Sequence, residues 1–423
     1  MEIDIKRIFF IVALIVVFFC GVFLRYQSTL IPYHHGPDEM IYGYRAYQIS
    51  LHGRAASIRS AKQDIQNKKM QLYPPPTRIG YLVPLAGIMK VSHQYNLLPG
   101  VLLSFFASVG SLLLLIIFGL RFFNRWTTLI ALTVYAVCPI AVMLAGRALQ
   151  DSLAGFLGLL ILYFSSETIS NQSKKIWPIL LILVGNYTLL IKTPLFVFFA
   201  LCFLLVLFFL NFPKLQIKKS FYFSVLAFLG FVCSMLILAS WSGGIKNVFM
   251  MWYLLMHAGD HSNYVFYQTA SISQFLFNFY INSILMSVFF IIGMVLTIVN
   301  YFTKSRFFIY DKKNEKVHIF AFIVCIAFFL VVALMPSSQN LRYVPMLFVP
   351  IYLLASNAIF ILYQKLKSII AKRWIIALLT TVLILLVLVG SLRDYAVYKK
   401  LFIKYRIYDP APVFLMRAYE ISR

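Results

Sequence analysis

Apolar runs of bilayer-crossing length recur along the whole chain, and they decide what it can fold into. One of them is "PLFVFFALCFLLVLFFL", from Pro194 to Leu210. A helix crossing lipid needs about 20 apolar residues and satisfies its backbone hydrogen bonds internally. About eleven segments approach that length. They run Ile8–Leu24, Leu97–Gly119, Trp126–Ala145, Ala148–Ser165, Ile176–Ile191, Pro194–Leu210, Ser220–Trp241, Ile281–Tyr301, Ile319–Met335, Tyr343–Tyr363 and Trp374–Gly390. Pro194 splits Ile176 to Leu210, which is too long for one span, into two. Of 423 residues, 61% are hydrophobic and 12% charged, more apolar side chain than a soluble domain keeps from water. The fold class read from this pattern is an all-α integral membrane protein.

Orientation follows from the short connections. The N-terminus has charge before an apolar core but no small-residue cleavage site, so it reads as an uncleaved first span. With Lys6 and Arg7 in the cytoplasm, alternate connections are the basic ones, carrying Arg121 and Arg125, Lys174 and Lys175, Lys214, Lys218 and Lys219, then Lys304 to Lys316 and Lys365 to Arg373. Trp126, Trp177, Trp241 and Trp374 fall near span ends, as interfacial anchors do. The long segments 25–96 and 242–280 then face outward, and residues 391–423 form a tail after a membrane module of residues 1–390. The expected location is the plasma membrane. A net charge of +25 suits lipid headgroups here, since no nucleic-acid-binding motif accompanies it. The five cysteines lie inside apolar runs without metal-ligand spacing.

Against this background the charged residues outside the basic turns stand out. The segment "IPYHHGPDEM" (Ile31 to Met40) sets Asp38 and Glu39 side by side in a chain with 13 acidic residues. Gly36-Pro37 ends an extended approach, Asp38 reads as a helix cap, and Glu39 to Leu51 reads as an interfacial helix. "LYPPPTRIGYLVPLAGIMKV" (Leu72 to Val91) reads as a Pro-rich entry to an interfacial or re-entrant helix. In "LAGRALQDSLAGF", Arg147 and Asp151 are four apart on one expected helix face, a spacing that an ordinary ion pair also explains. "IKTP" places Lys192 at one outer turn, and "SSQNLRYVPMLFVP" places Arg342 and Tyr343 at another. Both cations also suit snorkelling to headgroups. His257, Asp260 and His261 read as a solvated loop covering the site.

In this order, these features resemble the polyprenyl-phosphate-sugar-dependent glycosyltransferases of the GT-C fold. The protein O-mannosyltransferases and lipid A aminoarabinose transferases are the relatives the pattern is similar to, over roughly Met1 to Ser391. Such proteins carry a sizeable folded C-terminal domain, which this chain is expected to lack after Ser391. The resemblance implies a helical bundle with outer-face interfacial helices. It also implies transfer of a sugar from a polyprenyl-phosphate donor to a lipid, glycan or protein acceptor, by inverting displacement. Asp38 matches the family's first acidic residue and is the expected base, with Glu39 orienting acceptor or metal. Arg147, Lys192 and Arg342 are the expected ligands of the donor phosphate, supported by Asp151 and Tyr343. No cofactor is assigned, apart from a divalent metal as a candidate for His34, His35 and Glu39. The rivals are a transporter or flippase of a polyprenyl-linked lipid, and a non-catalytic membrane scaffold. Crowding of the informative charges at one boundary favours the enzyme.

Overall fold

The computed structural model describes residues 5–31, 36–66, 75–211, 217–256, 272–303, 314–334, 341–370 and 372–407, which contain helices and no strand. After α1 (Ile5–Thr29), the expected first outer loop holds α2 (Pro37–His52), α3 (Arg54–Gln66) and α4 (Ile79–Ser92). The next helices are α5 (Leu98–Phe122), α6 (Arg125–Ala136), α7 (Pro139–Ala145), α8 (Asp151–Ser170), α9 (Ile176–Leu189), α10 (Thr193–Asn211) and α11 (Ile217–Ser242). The expected second outer loop holds α12 (Ile245–Met256) and most of α13 (Ile272–Asn282). Then follow α14 (Ile284–Thr303), α15 (Glu315–Leu334), a 3₁₀ turn η1 (Leu341–Tyr343), α16 (Pro345–Ile369) and α17 (Arg373–Tyr398).

Among the described residues, eight helices are long and apolar enough to cross a membrane, or ten if each of two bent pairs is one span. The expected span Ile176–Ile191 is the one that falls short. As α9 it has 14 residues, about 21 Å at 1.5 Å per residue, against a bilayer core of about 30 Å. The expected straight span Trp126–Ala145 is instead α6 and α7, bent by 61°. Pro139 begins the second piece, where it has no N–H to continue the first. The carbonyls released there are met by Arg25, fully buried, which donates to Ala136 O at 3.0 Å and Tyr135 O at 3.3 Å. The other bent pair, α13 and α14, turns by 113°. At that bend Ser283 Oγ donates to buried Asp394 Oδ2 at 2.5 Å. At the far end of the chain α17 continues to Tyr398, so the first residues of the expected tail extend the last helix.

α16 is the most buried span and packs against α6, α8 and α14, whereas α1 and α17 lie at the periphery. Large apolar side chains such as Phe19, Phe221 and Leu392 point outward from peripheral helices, as lipid-facing side chains do. The chain is an integral, multi-pass membrane protein. α8 crosses the bundle over about 30 Å. One of its ends carries Glu167, 2.6 Å from Arg121 of α5. Its other end begins with Asp151, where the candidate site lies.

Candidate active site

The site starts at the beginning of α2. Gly36 occupies the N-cap and Pro37 the first helical position, so Asp38 is one residue inside the helix and does not cap it. Glu39 reaches back instead, accepting the Gly36 N–H through Oε2 at 3.0 Å. The same carboxylate accepts from Arg147 Nε at 2.9 Å and Nη2 at 2.7 Å, and from the Ala148 N–H at 2.8 Å. Glu39 and Arg147 are 0% and 1% exposed. Burial pushes the Glu39 carboxyl up, but the hydrogen bonds and charge of Arg147, with the two backbone amides, outweigh it and hold it below its ordinary value.

Arg147 does not lie on one helix with Asp151, as the spacing suggests. α7 ends at Ala145 and α8 starts at Asp151, so Arg147 sits in the link between them and its carboxylate partner is Glu39. That link presses on the end of α1. A Cβ on Gly146 would stand 2.3 Å from Ser28 O, so only glycine admits the approach.

Asp151 is a hub. Its Oδ1 accepts from Lys192 Nζ at 2.5 Å, and its Oδ2 accepts from Arg342 Nε at 3.1 Å. Lys192 Nζ also donates to the Arg342 carbonyl at 3.1 Å and stands 4.2 Å from the centre of the Tyr343 ring. The Arg342 fork continues to Asp38, whose Oδ2 accepts from Nη2 at 3.0 Å. The structure thus joins Asp38, Asp151, Lys192, Arg342 and Tyr343 in one network, with the Glu39–Arg147 pair attached through α2. Asp38 is the carboxylate that reaches the surface, at 14% exposure, against 0% for Glu39 and Asp151. Its Oδ1 accepts no hydrogen bond among the described residues.

Three polar residues beside this network are missed by sequence reasoning. Arg78, buried, donates to the Tyr42 hydroxyl. The Gln150 amide, oriented by its surroundings, accepts from Arg78 Nη1 at 2.6 Å and from the Tyr42 hydroxyl at 3.2 Å, and donates to Ile191 O at 2.9 Å. Arg78 arrives there because α4 abuts the turn between α9 and α10, where the Gly80 N–H donates to Leu190 O at 2.8 Å. A Cβ on Gly80 would meet Ile191 Cγ1 at 2.8 Å. An arginine heading an apolar helix, as in "PPPTRIGYL", is a signal that could have been used. Nothing local marks Tyr42 or Gln150. Among the described residues no group of three His, Cys, Asp or Glu side chains is placed to hold a metal. His34, His35, His257, Asp260 and His261 lie outside the described residues.

No protein-family model matches the sequence, and no curated protein does. Solved structures do match the fold. The archaeal oligosaccharyltransferase AglB from Archaeoglobus fulgidus, in complex with an inhibitory peptide and a dolichol-phosphate, superposes with a TM-score of 0.60 at 11% identity. That match covers 94% of this chain and 56% of the archaeal enzyme, so the chain spans little more than half of that protein. ArnT from Cupriavidus metallidurans bound to undecaprenyl phosphate gives a TM-score of 0.55 at 12% identity, covering 93% of this chain and 74% of ArnT. The Archaeoglobus fulgidus oligosaccharyltransferase complex with Zn and sulfate gives 0.57 at 12%, covering 91% and 52%. Likeness at this identity establishes architecture. The chain has the multi-span helical membrane fold of the GT-C glycosyltransferases, the superfamily its sequence resembles.

Proposed function

We propose that the protein is a membrane glycosyltransferase that moves a sugar from a polyprenyl-phosphate donor to an acceptor hydroxyl at the outer face of the membrane. The observation carrying this reading is that Asp38, a surface-reaching carboxylate, shares Arg342 with the buried Asp151–Lys192 pair. A base and a phosphate-binding cation therefore stand one hydrogen bond apart. The acceptor oxygen attacks the anomeric carbon while its proton passes to Asp38. The bond from that carbon to the phosphate oxygen breaks, and the electron pair leaves with the polyprenyl phosphate, stabilised by Arg342 with Lys192 behind it. Attack opposite the leaving group inverts the anomeric centre. Asp151 aims the two cations, and Tyr343 supports the Lys192 ammonium. Glu39 and Arg147 brace α2 against the link before α8, a positioning role in place of direct contact with acceptor, metal or phosphate. The basic short connections support the outer-face orientation, and the polyprenyl phosphates bound in the fold's relatives support the donor class.

The test is consumption of short-chain polyprenyl-phosphate sugars by purified protein in one lipid mixture supplied with lipid, glycan and peptide hydroxyl acceptors, with release of the polyprenyl phosphate as readout. Turnover with at least one sugar is expected. A transport reading draws on the two bent helix pairs and on buried Arg25 and Asp394. It predicts movement of the lipid between leaflets without consumption, and that result would replace the enzyme reading.

The bridge made by Arg342 gives a finer test. Its planar fork reaches Asp38 through Nη2 and Asp151 through Nε, two donors held apart in a fixed geometry that the compact lysine ammonium does not reproduce. Loss of one charge-assisted hydrogen bond is worth about 1.5–3 kcal/mol, so Arg342→Lys should lower turnover by about 10–100-fold. A headgroup anchor would tolerate the exchange, and full activity in both Arg342→Lys and Arg342→Ala would remove Arg342 from the site.

A further inference from the structure

The helices before α5 border a partly open cavity whose lining contains none of the residues of the charge network. Gly53, at φ 57°, turns α2 back into α3, and the residues leading into α4 close the hairpin from one side. The space measures about 110 Å³, well above the ~10–15 Å³ that admits one water. Its polar lining includes Tyr44, Arg45 and Gln48 from α2 with Ser57, Arg59 and Gln63 from α3. Arg45 is held in place across the hairpin by Asp64 of α3, at 2.8 Å, and is 7% exposed.

The chemistry of this lining selects among ligands. A lipid tail has no use for two guanidinium and two amide groups. A bare anion presents acceptors only, and the glutamine carbonyl oxygens would face it without a donor. A cation is opposed by Arg45 and Arg59. A saccharide offers adjacent hydroxyls that both donate and accept, which paired amide and guanidinium groups match. Tyr44, 65% exposed, adds an aromatic face on which the apolar side of a sugar ring can lie.

The position relative to Asp38 is fixed by α2 itself. Tyr44, Arg45 and Gln48 follow Asp38 by six, seven and ten residues, about 9–15 Å along the axis at 1.5 Å per residue, a reach of about two or three sugar rings. We propose that this cavity is an acceptor subsite: the acceptor is a glycan chain, and the cavity holds an inner sugar while the chain's terminal hydroxyl is presented to Asp38. The inference rests on the glycosyltransferase reading and names the acceptor class for it.

The experiment is saturation-transfer NMR on full-length protein in nanodiscs with linear trisaccharides of gluco, galacto, manno and N-acetylhexosamine configuration. At least one should bind the wild type. Tyr44→Ala and Gln63→Ala, at exposed positions whose truncation leaves the fold in place, should each weaken that binding at least tenfold. Tyr44→Phe, which keeps the ring, should bind as the wild type does. Binding of no trisaccharide, or equal binding by both alanine variants, would overturn the subsite. Capture of undecaprenyl phosphate by the wild type is measured in parallel. Lipid capture without saccharide capture removes the subsite and leaves the enzyme reading standing. Saccharide capture lost in the alanine variants, with no lipid capture, keeps the sugar site and sinks its acceptor role together with the enzyme reading.

Discussion

Asp38→Asn is expected to lower turnover of a polyprenyl-phosphate sugar by about 10²–10⁴-fold, the range that a positioned general base supplies. Asparagine has nearly the same shape, and its carbonyl oxygen can still accept from Arg342 Nη2, which lies 3.0 Å from Asp38 Oδ2. What it lacks is a second anionic oxygen to take the acceptor's proton. Thermal stability and capture of undecaprenyl phosphate should therefore stay close to wild type while the rate collapses. Asp151 cannot stand in, because its two oxygens are engaged by Lys192 and Arg342 and it is fully buried. Turnover of Asp38→Asn within a factor of about three of wild type would remove Asp38 as the base, since even the low end of general-base catalysis exceeds that.

The neighbouring residue should respond in the opposite way. Glu39→Ala strips Arg147 of both carboxylate hydrogen bonds and removes the acceptor of the Gly36 and Ala148 amides. Breaking one side of a buried ion pair costs about 3–5 kcal/mol. Both side chains here are essentially inaccessible, so water cannot replace the lost partner. The expected result is a large fall in thermal midpoint, or loss of folded protein, with activity lost as a consequence. Because a buried pair can often be replaced by apolar groups at little net cost, Glu39→Ala combined with Arg147→Met should recover part of the stability. A Glu39→Ala protein as stable as wild type yet inactive would overturn the brace and return Glu39 to the chemistry.

The contrast between these adjacent residues marks how far local sequence carries. The "PDEM" segment announces an acidic helix start, and α2 does begin there. Which of the two carboxylates faces in is decided by where the α7–α8 link lies. The sequence offers Arg147 an acidic partner four residues away; the fold gives it one 108 residues away. Arg342 likewise meets Asp151 across 191 residues and Asp38 across 304. The role of Arg78 is not legible locally, because it depends on Gly80 letting α4 touch the α9–α10 turn.

The sequence by itself determined the solvent. With apolar runs of this length, lipid is the medium in which the side chains are stable and helices are the way to satisfy the backbone, so α5, α8, α10, α11, α15 and α16 follow from composition and length. It also determined which few residues carry charge outside the basic turns, and therefore which side chains a site could be made of. The tertiary structure alone decided how those charges pair, where α6–α7 and α13–α14 bend, and that Asp38 is the carboxylate left at the surface. The physical reason is range. Hydropathy and helix formation are set within a few turns of chain, whereas a buried carboxylate takes whichever cation the packing of distant helices brings within about 3 Å.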